Sequence, residues 1–256
     1  MLKDKKVFIF DLDGTLSKSK IPIDRGMVKL LAKLTRKAKV AIVGGGKLAL
    51  FKKQFLKPLG KERANLSNLF LFPTNGASFF IYRKGWRKEY EIRLTGKDLA
   101  RIKEVLKKAL LEADFEYPKR VFGNTIENRG TQVTFSALGD RAPLPFKKEW
   151  NRRRDIRPRI VKFMKKILPN FEVRQGGLTS IDITKKGIDK GYAIKKLMKF
   201  LKISKKDAIF FGDAIFPGGN DYSAKKAGIK CVKVSGPKDT KKLLKWVINN
   251  WKIEKN

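Results

Sequence analysis

Histidine is absent from the 256-residue chain, and cysteine occurs once, as Cys231. The lack of histidine excludes catalytic triads that contain histidine, imidazole acid–base chemistry and histidine-ligated metal sites. A single cysteine excludes an internal disulfide and a metal site built from paired cysteines, so we interpret Cys231 as a small apolar residue of a strand. Any catalysis must therefore depend on carboxylates, lysines, a metal ion and backbone groups.

Long hydrophobic runs are also missing. No stretch of about 18 apolar residues occurs, so we expect no membrane span. The first residues show no signal-peptide pattern, because their apolar run is short and acidic residues follow it at once, and we expect a cytoplasmic location. Hydrophobic residues still make up 42% of the chain, which is enough to bury the core of one large domain or two smaller ones.

Negative charge is scarce beside positive charge. Lysine and arginine total 61 against 24 aspartate and glutamate residues, a formal net charge of +37. Such a surface attracts polyanions and favours non-specific binding to them. Because the lysines are spread over the whole chain, a general lysine bias is favoured over a dedicated nucleic-acid-binding protein or a nucleic-acid-end phosphatase, which stay as lesser alternatives.

Short apolar runs alternate with helical periodicity in the first part of the chain. The runs at 6–10, 40–43 and 69–72 are typical of strands buried in a parallel sheet. The same alternation returns after Gly187. The pattern predicts an α/β fold with a doubly wound, mostly parallel Rossmann-like sheet, whose site lies beyond the carboxyl ends of the strands.

The pattern changes in the middle of the chain, where strands come in pairs around two helices. This arrangement predicts an inserted α+β cap domain at 84–186. The core domain is then formed by two separate segments, 1–83 and 187–256.

Acidic residues follow two of the predicted core strands. Asp11 and Asp13 come directly after the first run, and Gly14 permits a tight turn beside a phosphate. A later apolar run ends in Asp213, and Asp221 follows eight residues on. A nucleophilic carboxylate, a nearby acid–base group and a cation-binding site are what an acyl-phosphate reaction needs, and carboxylates suit Mg²⁺.

The motifs occur in an order that resembles the haloacid dehalogenase superfamily, over almost the full chain. They are DLDGTL from Asp11, the three glycines after the second strand, Lys190, and FFGDAIFPGGNDY from Phe210 to Tyr222. The segment QGGLTSIDITKKGIDKG from Gln175 is similar to the exit from the cap in the α/β-capped branch (type IIB), which includes the alpha-phosphomannomutases and their bacterial relatives. The chain is thus identified as resembling that branch.

The resemblance implies a role for each residue of the acidic site. Asp11 would be the nucleophile that becomes aspartyl-phosphate, and Asp13 the general acid–base. Mg²⁺ would be held by Asp11, by the backbone carbonyl of Asp13 and by Asp213. Lys190 would hold the nucleophile and the phosphoryl group, and Asn220 and Asp221 would complete the acidic loop.

The same resemblance implies residues that bind a small phosphorylated sugar. Ser180 and Asp182 would hydrogen-bond the hexose, and Arg129 would bind the distal phosphate. The full substrate-binding set is Lys20, Gly45, Gly46, Arg129, Arg141, Lys147, Ser180 and Asp182.

Two departures from the mutase pattern bear on the reaction. Gly46 stands where mutases carry a serine, and Asp140 stands where they carry a phosphate-binding arginine, with Arg141 one residue away. A weaker hold on a second phosphate suits a phosphatase better than a mutase. We therefore expect a Mg²⁺-dependent sugar-phosphate phosphohydrolase, with a true phosphomannomutase that interconverts hexose 1- and 6-phosphates as the alternative, and either a monomer or a homodimer.

Overall fold

The computed structural model describes residues 5–18, 21–153 and 156–250. The chain divides into two compact units, the first from the described parts of Met1–Glu91 and Asp189–Asn256, the second from those of Ile92–Ile188. The sequence placed the insertion at 84–186, whereas the first unit runs on to Glu91, because the strand Trp86–Glu91 pairs with Ser78–Tyr82 in its sheet.

The strands are numbered in chain order. They are β1 (Val7–Asp11), β2 (Lys39–Val43), β3 (Leu69–Phe72), β4 (Ser78–Tyr82), β5 (Trp86–Glu91), β6 (Ile126–Asn128), β7 (Val133–Ser136), β8 (Phe171–Gln175), β9 (Ser180–Lys185), β10 (Ala208–Gly212) and β11 (Lys230–Lys233).

The α-helices are α1 (Arg25–Lys37), α2 (Leu48–Phe51), α3 (Lys57–Leu59), α4 (Gly96–Glu112), α5 (Leu144–Arg153), α6 (Arg157–Ile167), α7 (Lys190–Leu201), α8 (Tyr222–Lys226) and α9 (Pro237–Asn250). A π-helical turn, Lys52–Leu56, connects α2 to α3.

The sheet of the first unit has the strand order β11-β10-β1-β2-β3-β4-β5. The strands from β11 to β3 are parallel, and the hairpin of β4 and β5 adds an antiparallel edge. Strand β1 lies between β10 and β2, with Phe10 opposite Phe211 and Asp11 opposite Val43. The carboxyl ends of β1 and β10 are therefore neighbours, which brings the two acidic motifs together.

Both faces of this sheet are buried. Phe8 and Phe10 belong to a core with α1 and α9 on one face, whereas Val7 and Ile9 belong to a core with α7 on the other. Alternate residues of one strand therefore enter different cores, which accounts for the unbroken apolar run. The predicted doubly wound α/β fold is confirmed.

The second unit has an antiparallel sheet of order β6-β7-β9-β8. Its apolar face, with residues such as Phe135 and Ile183, packs with α4 and α6 in a core of its own. Thr134 on β7 and Asp182 on β9 are neighbours across the sheet. They alternate with Phe135 and Ile183 along these strands, so the opposite face of the sheet carries polar side chains. Across the described chain, no helix combines the length and the apolar character that crossing a bilayer requires.

Candidate active site

The loop after β1 carries the first two carboxylates. Asp11 ends the strand and is 3% exposed, and the half-buried Asp13 follows on the loop. Gly14 has φ +91°, and a Cβ atom there would lie 2.6 Å from Asp213 Oδ2. Only glycine fits this position without strain, because it tolerates positive φ and the close approach of the second motif.

The end of β10 supplies the second acidic motif. Asp213 is half-buried and accepts a hydrogen bond from Thr15 Oγ1 at 3.3 Å. Asp221 is fully buried, and its Oδ2 accepts one from the backbone N–H of Ala214 at 2.9 Å. One carboxylate oxygen from each of Asp11, Asp213 and Asp221 lies within 4.8 Å of the others.

Lys190 joins these groups from a third element. It is the first residue of α7, and the side chain of Asp189 caps that helix by accepting a hydrogen bond from the N–H of Tyr192. The Lys190 ammonium is 1% exposed and donates to Asp11 Oδ1 at 2.6 Å and to Asp221 Oδ1. A buried ammonium between two carboxylates keeps the Asp11 carboxylate in place.

The balance of charge in the site is negative. Burial raises the pKa of Asp11 well above its usual range, and the charges of Asp221 and Asp213 add to this against the opposing effect of Lys190. Burial and the charge of Asp221 also raise the pKa of Asp213. Although burial opposes the charged form of Lys190, the carboxylates of Asp11 and Asp221 outweigh it and raise the pKa of the amine. Three carboxylates thus face one ammonium, so full ionisation of the site leaves negative charge that Lys190 alone does not compensate.

This donor set fits a hard divalent cation. Its ligand atoms are carboxylate oxygens, which magnesium prefers, and a cation would offset the excess negative charge. The side-chain cluster contains Asp11 and Asp213 of the predicted metal set and adds Asp221, which the sequence had placed only in a supporting loop. The expected contribution of Asp13, through its backbone carbonyl, stays a prediction.

The glycine segment after β2 lies at the same edge of the sheet. The backbone N–H groups of Thr74 and Asn75, both with positive φ, donate at 2.9 Å to the carbonyls of Gly46 and Gly44. The turn after β3 thereby holds the glycine segment in place. Gly45 and Gly46 are half-buried, and a Cβ atom on Gly46 would lie 2.7 Å from Leu50 Cδ2. A serine at this position would therefore require Leu50 to move.

The predicted hexose contacts lie in the second unit. Ser180 and Asp182 stand two residues apart on β9 and share one face of the strand. Thr134 Oγ1 donates to Asp182 Oδ1 at 2.8 Å, and Gln132 Nε2 donates to Thr134 Oγ1 at the same distance. These two hydrogen bonds fix the orientation of the Asp182 carboxylate.

The cationic residues predicted to bind phosphate differ in their surroundings. Arg129 binds Glu127 Oε2 through Nε at 3.1 Å and Nη2 at 2.7 Å. Lys147 is buried on α5, whereas Arg141 is exposed. Lys20 lies outside the described residues.

Two residues of the first-unit site were not among the predicted site residues. Thr15 belongs to the DLDGTL motif, which is the signal that would have found it, and it binds Asp213. Gln54 donates to Asp13 Oδ1 at 2.7 Å, and nothing in its surrounding sequence, KKQFL, marks it.

Comparisons with known proteins identify the family of the chain. Residues 27–250 match the family described as eukaryotic phosphomannomutase. The chain belongs to this family. A phosphomannomutase of Encephalitozoon cuniculi is 32% identical over 94% of this chain and 93% of its own length. A second, of Saccharomyces cerevisiae, is 29% identical over 96% of both chains.

Solved structures show the same fold at lower identity. The IMP-nucleotidase of Plasmodium falciparum, truncated at its N-terminus, superposes with a TM-score of 0.72 at 18% identity, covering 97% of this chain and 72% of that chain. The C-terminal domain of C. albicans trehalose-6-phosphate phosphatase gives 0.62 at 16% identity, covering 96% and 93%. The chain is therefore an enzyme of the phosphomannomutase family with the haloacid dehalogenase fold.

Proposed function

We propose that this enzyme transfers a phosphoryl group on a hexose phosphate through an aspartyl-phosphate at Asp11, with Mg²⁺ as cofactor. The observation that carries the proposal is the contact of the buried Lys190 ammonium with Asp11 Oδ1 at 2.6 Å, beside the carboxylates of Asp213 and Asp221. A carboxylate held by an ammonium beside two further carboxylates suits nucleophilic attack on a phosphate.

The residues divide the first half of the reaction between them. An oxygen of Asp11 attacks phosphorus, and the bond from phosphorus to the sugar oxygen breaks. Asp13, on the same loop, gives a proton to the departing sugar oxygen, so the products are aspartyl-phosphate and a free hydroxyl. Lys190 balances charge on the phosphoryl group while its second contact, to Asp221, keeps it in place.

The second half of the reaction reverses these roles. Asp13 takes a proton from the acceptor oxygen, which attacks the phosphorus of aspartyl-phosphate and restores the Asp11 carboxylate. If the acceptor is a second hydroxyl of a hexose monophosphate, the product is a bisphosphate and the enzyme is a mutase. If the acceptor is water, the product is inorganic phosphate and the enzyme is a phosphatase.

Mg²⁺ would be held by Asp11, Asp213 and the backbone carbonyl of Asp13, with Asp221 as a further carboxylate of the cluster. When bound, the ion neutralises charge on the phosphoryl oxygens.

Of the two outcomes we propose isomerisation of hexose 1- and 6-phosphates. The relatives that match more than nine tenths of both chains bear the name phosphomannomutase. Hydrolysis is the second candidate, and Gly46 favours it. A glycine there offers the phosphoryl group no side-chain hydroxyl.

One assay distinguishes the two candidates. Mannose 1-phosphate is supplied with Mg²⁺, with and without a hexose 1,6-bisphosphate, and both mannose 6-phosphate and inorganic phosphate are measured. We expect mannose 6-phosphate to form faster than phosphate once the bisphosphate is present, and excess chelator to stop both products until Mg²⁺ is restored. Phosphate release that outruns isomerisation under every condition would instead establish a phosphatase, and undiminished turnover in chelator would remove the metal from the proposal.

A further inference from the structure

Gln54 is a buried amide in contact with the loop that carries the acid–base residue. It lies in the π-helical turn and is 1% exposed. Its Nε2 donates to Asp13 Oδ1 at 2.7 Å and to Ser17 Oγ at 2.6 Å. The amide therefore fixes two side chains at opposite ends of one tight turn.

Backbone hydrogen bonds also hold this turn and the chain that follows it. The N–H of Gly14 donates to the carbonyl of Ser17 at 2.7 Å, and the N–H of Ile23 donates to the carbonyl of Gln54 at 3.0 Å. Gln54 thus contacts the loop through its side-chain amide, and its backbone carbonyl contacts the chain that follows the loop. The loop and the π-helical turn form one connected unit around the Asp13 carboxylate.

The position of Gln54 in its helix is unusual for a glutamine. Its neighbours Lys52 and Lys53 are exposed, whereas Phe51 and Phe55 are fully buried and anchor the segment in the core. A π-helical turn adds a residue to the helical repeat and changes the direction of the side chains that follow, and such turns are frequent at functional sites. Here the extra residue lets a polar side chain reach Asp13 from the buried face.

The burial of this amide also has a cost. Within the described chain, Gln54 Oε1 is a buried side-chain atom without a hydrogen-bond partner. An unsatisfied buried acceptor costs about 1–3 kcal/mol, which an apolar side chain would avoid. The unpaired Oε1 of Gln54 therefore lowers the stability of the core, whereas Nε2 forms the hydrogen bond to Asp13.

We propose that Gln54 is a positioning residue that holds the Asp13 carboxylate in the orientation needed for proton transfer. The inference rests on the proposed role of Asp13 as general acid–base. An amide donor holds a carboxylate without competing for its proton, and the Ser17 contact prevents the amide from rotating away. Loss of the contact frees the carboxylate to rotate, so proton transfer slows while substrate binding is unchanged.

The test uses two substrates that differ in their need for a proton. A hexose phosphate has a poor leaving group, which Asp13 must protonate, whereas 4-nitrophenyl phosphate releases a stable anion and needs no proton. The variants are Gln54→Met, which keeps length and burial without the amide, and Gln54→Glu, which keeps shape but sets a second acceptor against Asp13. Lys53→Met is the control, since it introduces the same methionine side chain at the exposed neighbouring residue.

We expect both Gln54 variants to lower kcat for the hexose phosphate by about 10- to 100-fold, part of what general acid–base catalysis contributes, with KM changed less than twofold. The nitrophenolate burst that reports phosphorylation of Asp11 should stay within about threefold of the parent enzyme, and Lys53→Met should leave both rates unchanged. Equal losses on both substrates would show general damage to the site, and unchanged rates on both would show that Asp13 needs no support. Either result overturns the inference.

Asp13→Asn separates this inference from the proposed function. If Asp13→Asn lowers hexose-phosphate turnover and Gln54→Met does not, the positioning role alone is wrong. If Asp13→Asn keeps the parent rate, the assignment of the acid–base is wrong, and the role of Gln54 is overturned with it.

Discussion

At the scale of single residues, the contact between Lys190 and Asp11 explains how a carboxylate can be buried and still carry a charge. The ammonium lies within 2.6 Å of the Asp11 oxygen, and both side chains are almost fully excluded from water. In such surroundings an unpaired charge is strongly disfavoured. Each charge in the site therefore depends on the others, and a substitution is best designed to keep shape while it removes one property.

Asp11→Asn removes the proposed nucleophile and keeps the shape of the side chain. We expect turnover to fall by at least about 10⁴-fold, the range seen when a nucleophilic catalytic unit is broken, because the amide cannot form the acyl-phosphate. The fold should remain, since the amide oxygen can still accept from Lys190. Steady-state kinetics and thermal unfolding measure the two effects.

Asp24→Asn is the matched control for Asp11→Asn. Asp24 caps α1 by accepting from the N–H of Met27 and pairs with Lys241. Asparagine is a good N-cap, so this variant should keep its stability within about 1 kcal/mol and its full activity. An active Asp11→Asn enzyme would exclude the covalent mechanism. An inactive Asp24→Asn enzyme would show that loss of a carboxylate outside the site is also harmful.

At the scale of elements, the C-terminal helix α9 supports the loop after β1. Thr240 is fully buried, and its Oγ1 donates to the carbonyl of Thr15 at 2.8 Å. Thr15 in turn donates to Asp213. A helix of the last segment of the chain thus helps to fix the loop that bears Asp13.

Thr240→Val should separate stability from activity. The change leaves the carbonyl of Thr15 without its donor and costs about 1–3 kcal/mol. Thr35→Val is the control, because Thr35 is also fully buried in the first unit and donates to Ala32, on α1. We expect both variants to unfold earlier, and Thr240→Val alone to lose activity several-fold well below its unfolding temperature. If the two variants lose activity equally, α9 supports the fold without a special effect on the loop.

The sequence was most informative for elements with strong periodicity and least informative for irregular ones. The buried strands β1, β2, β3 and β10 were expected, because apolar runs mark them. Helix α5, with Pro145 near its start, was not foreseen.

The same contrast holds for the site. Asp11, Asp213, Asp221 and Lys190 lie in recognisable motifs, and the structure brings them together. Their chemical roles stay predictions. Gln54 had no such signal, because a π-helical turn arises from packing between distant segments and leaves no periodic trace in the sequence.

At the scale of the whole molecule, the net charge of +37 predicts measurable non-specific binding to nucleic acids. We expect the protein to bind duplex DNA of unrelated sequences with equal affinity, and the affinity to fall steeply with salt because binding releases counterions. Fluorescence anisotropy over 50 to about 300 mM salt, with two duplexes and one single strand, measures this. A clear preference for one sequence, or an affinity that resists salt, would support a dedicated nucleic-acid function instead.

The position of β1 in the sheet has a consequence for synthesis on the ribosome. Its two neighbours are β2, which follows soon after it, and β10, which begins only at Ala208. Until then, the growing chain exposes one side of an uninterrupted apolar strand, an edge on which other chains can aggregate. Cells that make this enzyme should therefore need a chaperone to cover that edge for most of translation, and chain fragments that stop before Ala208 should be both inert and insoluble.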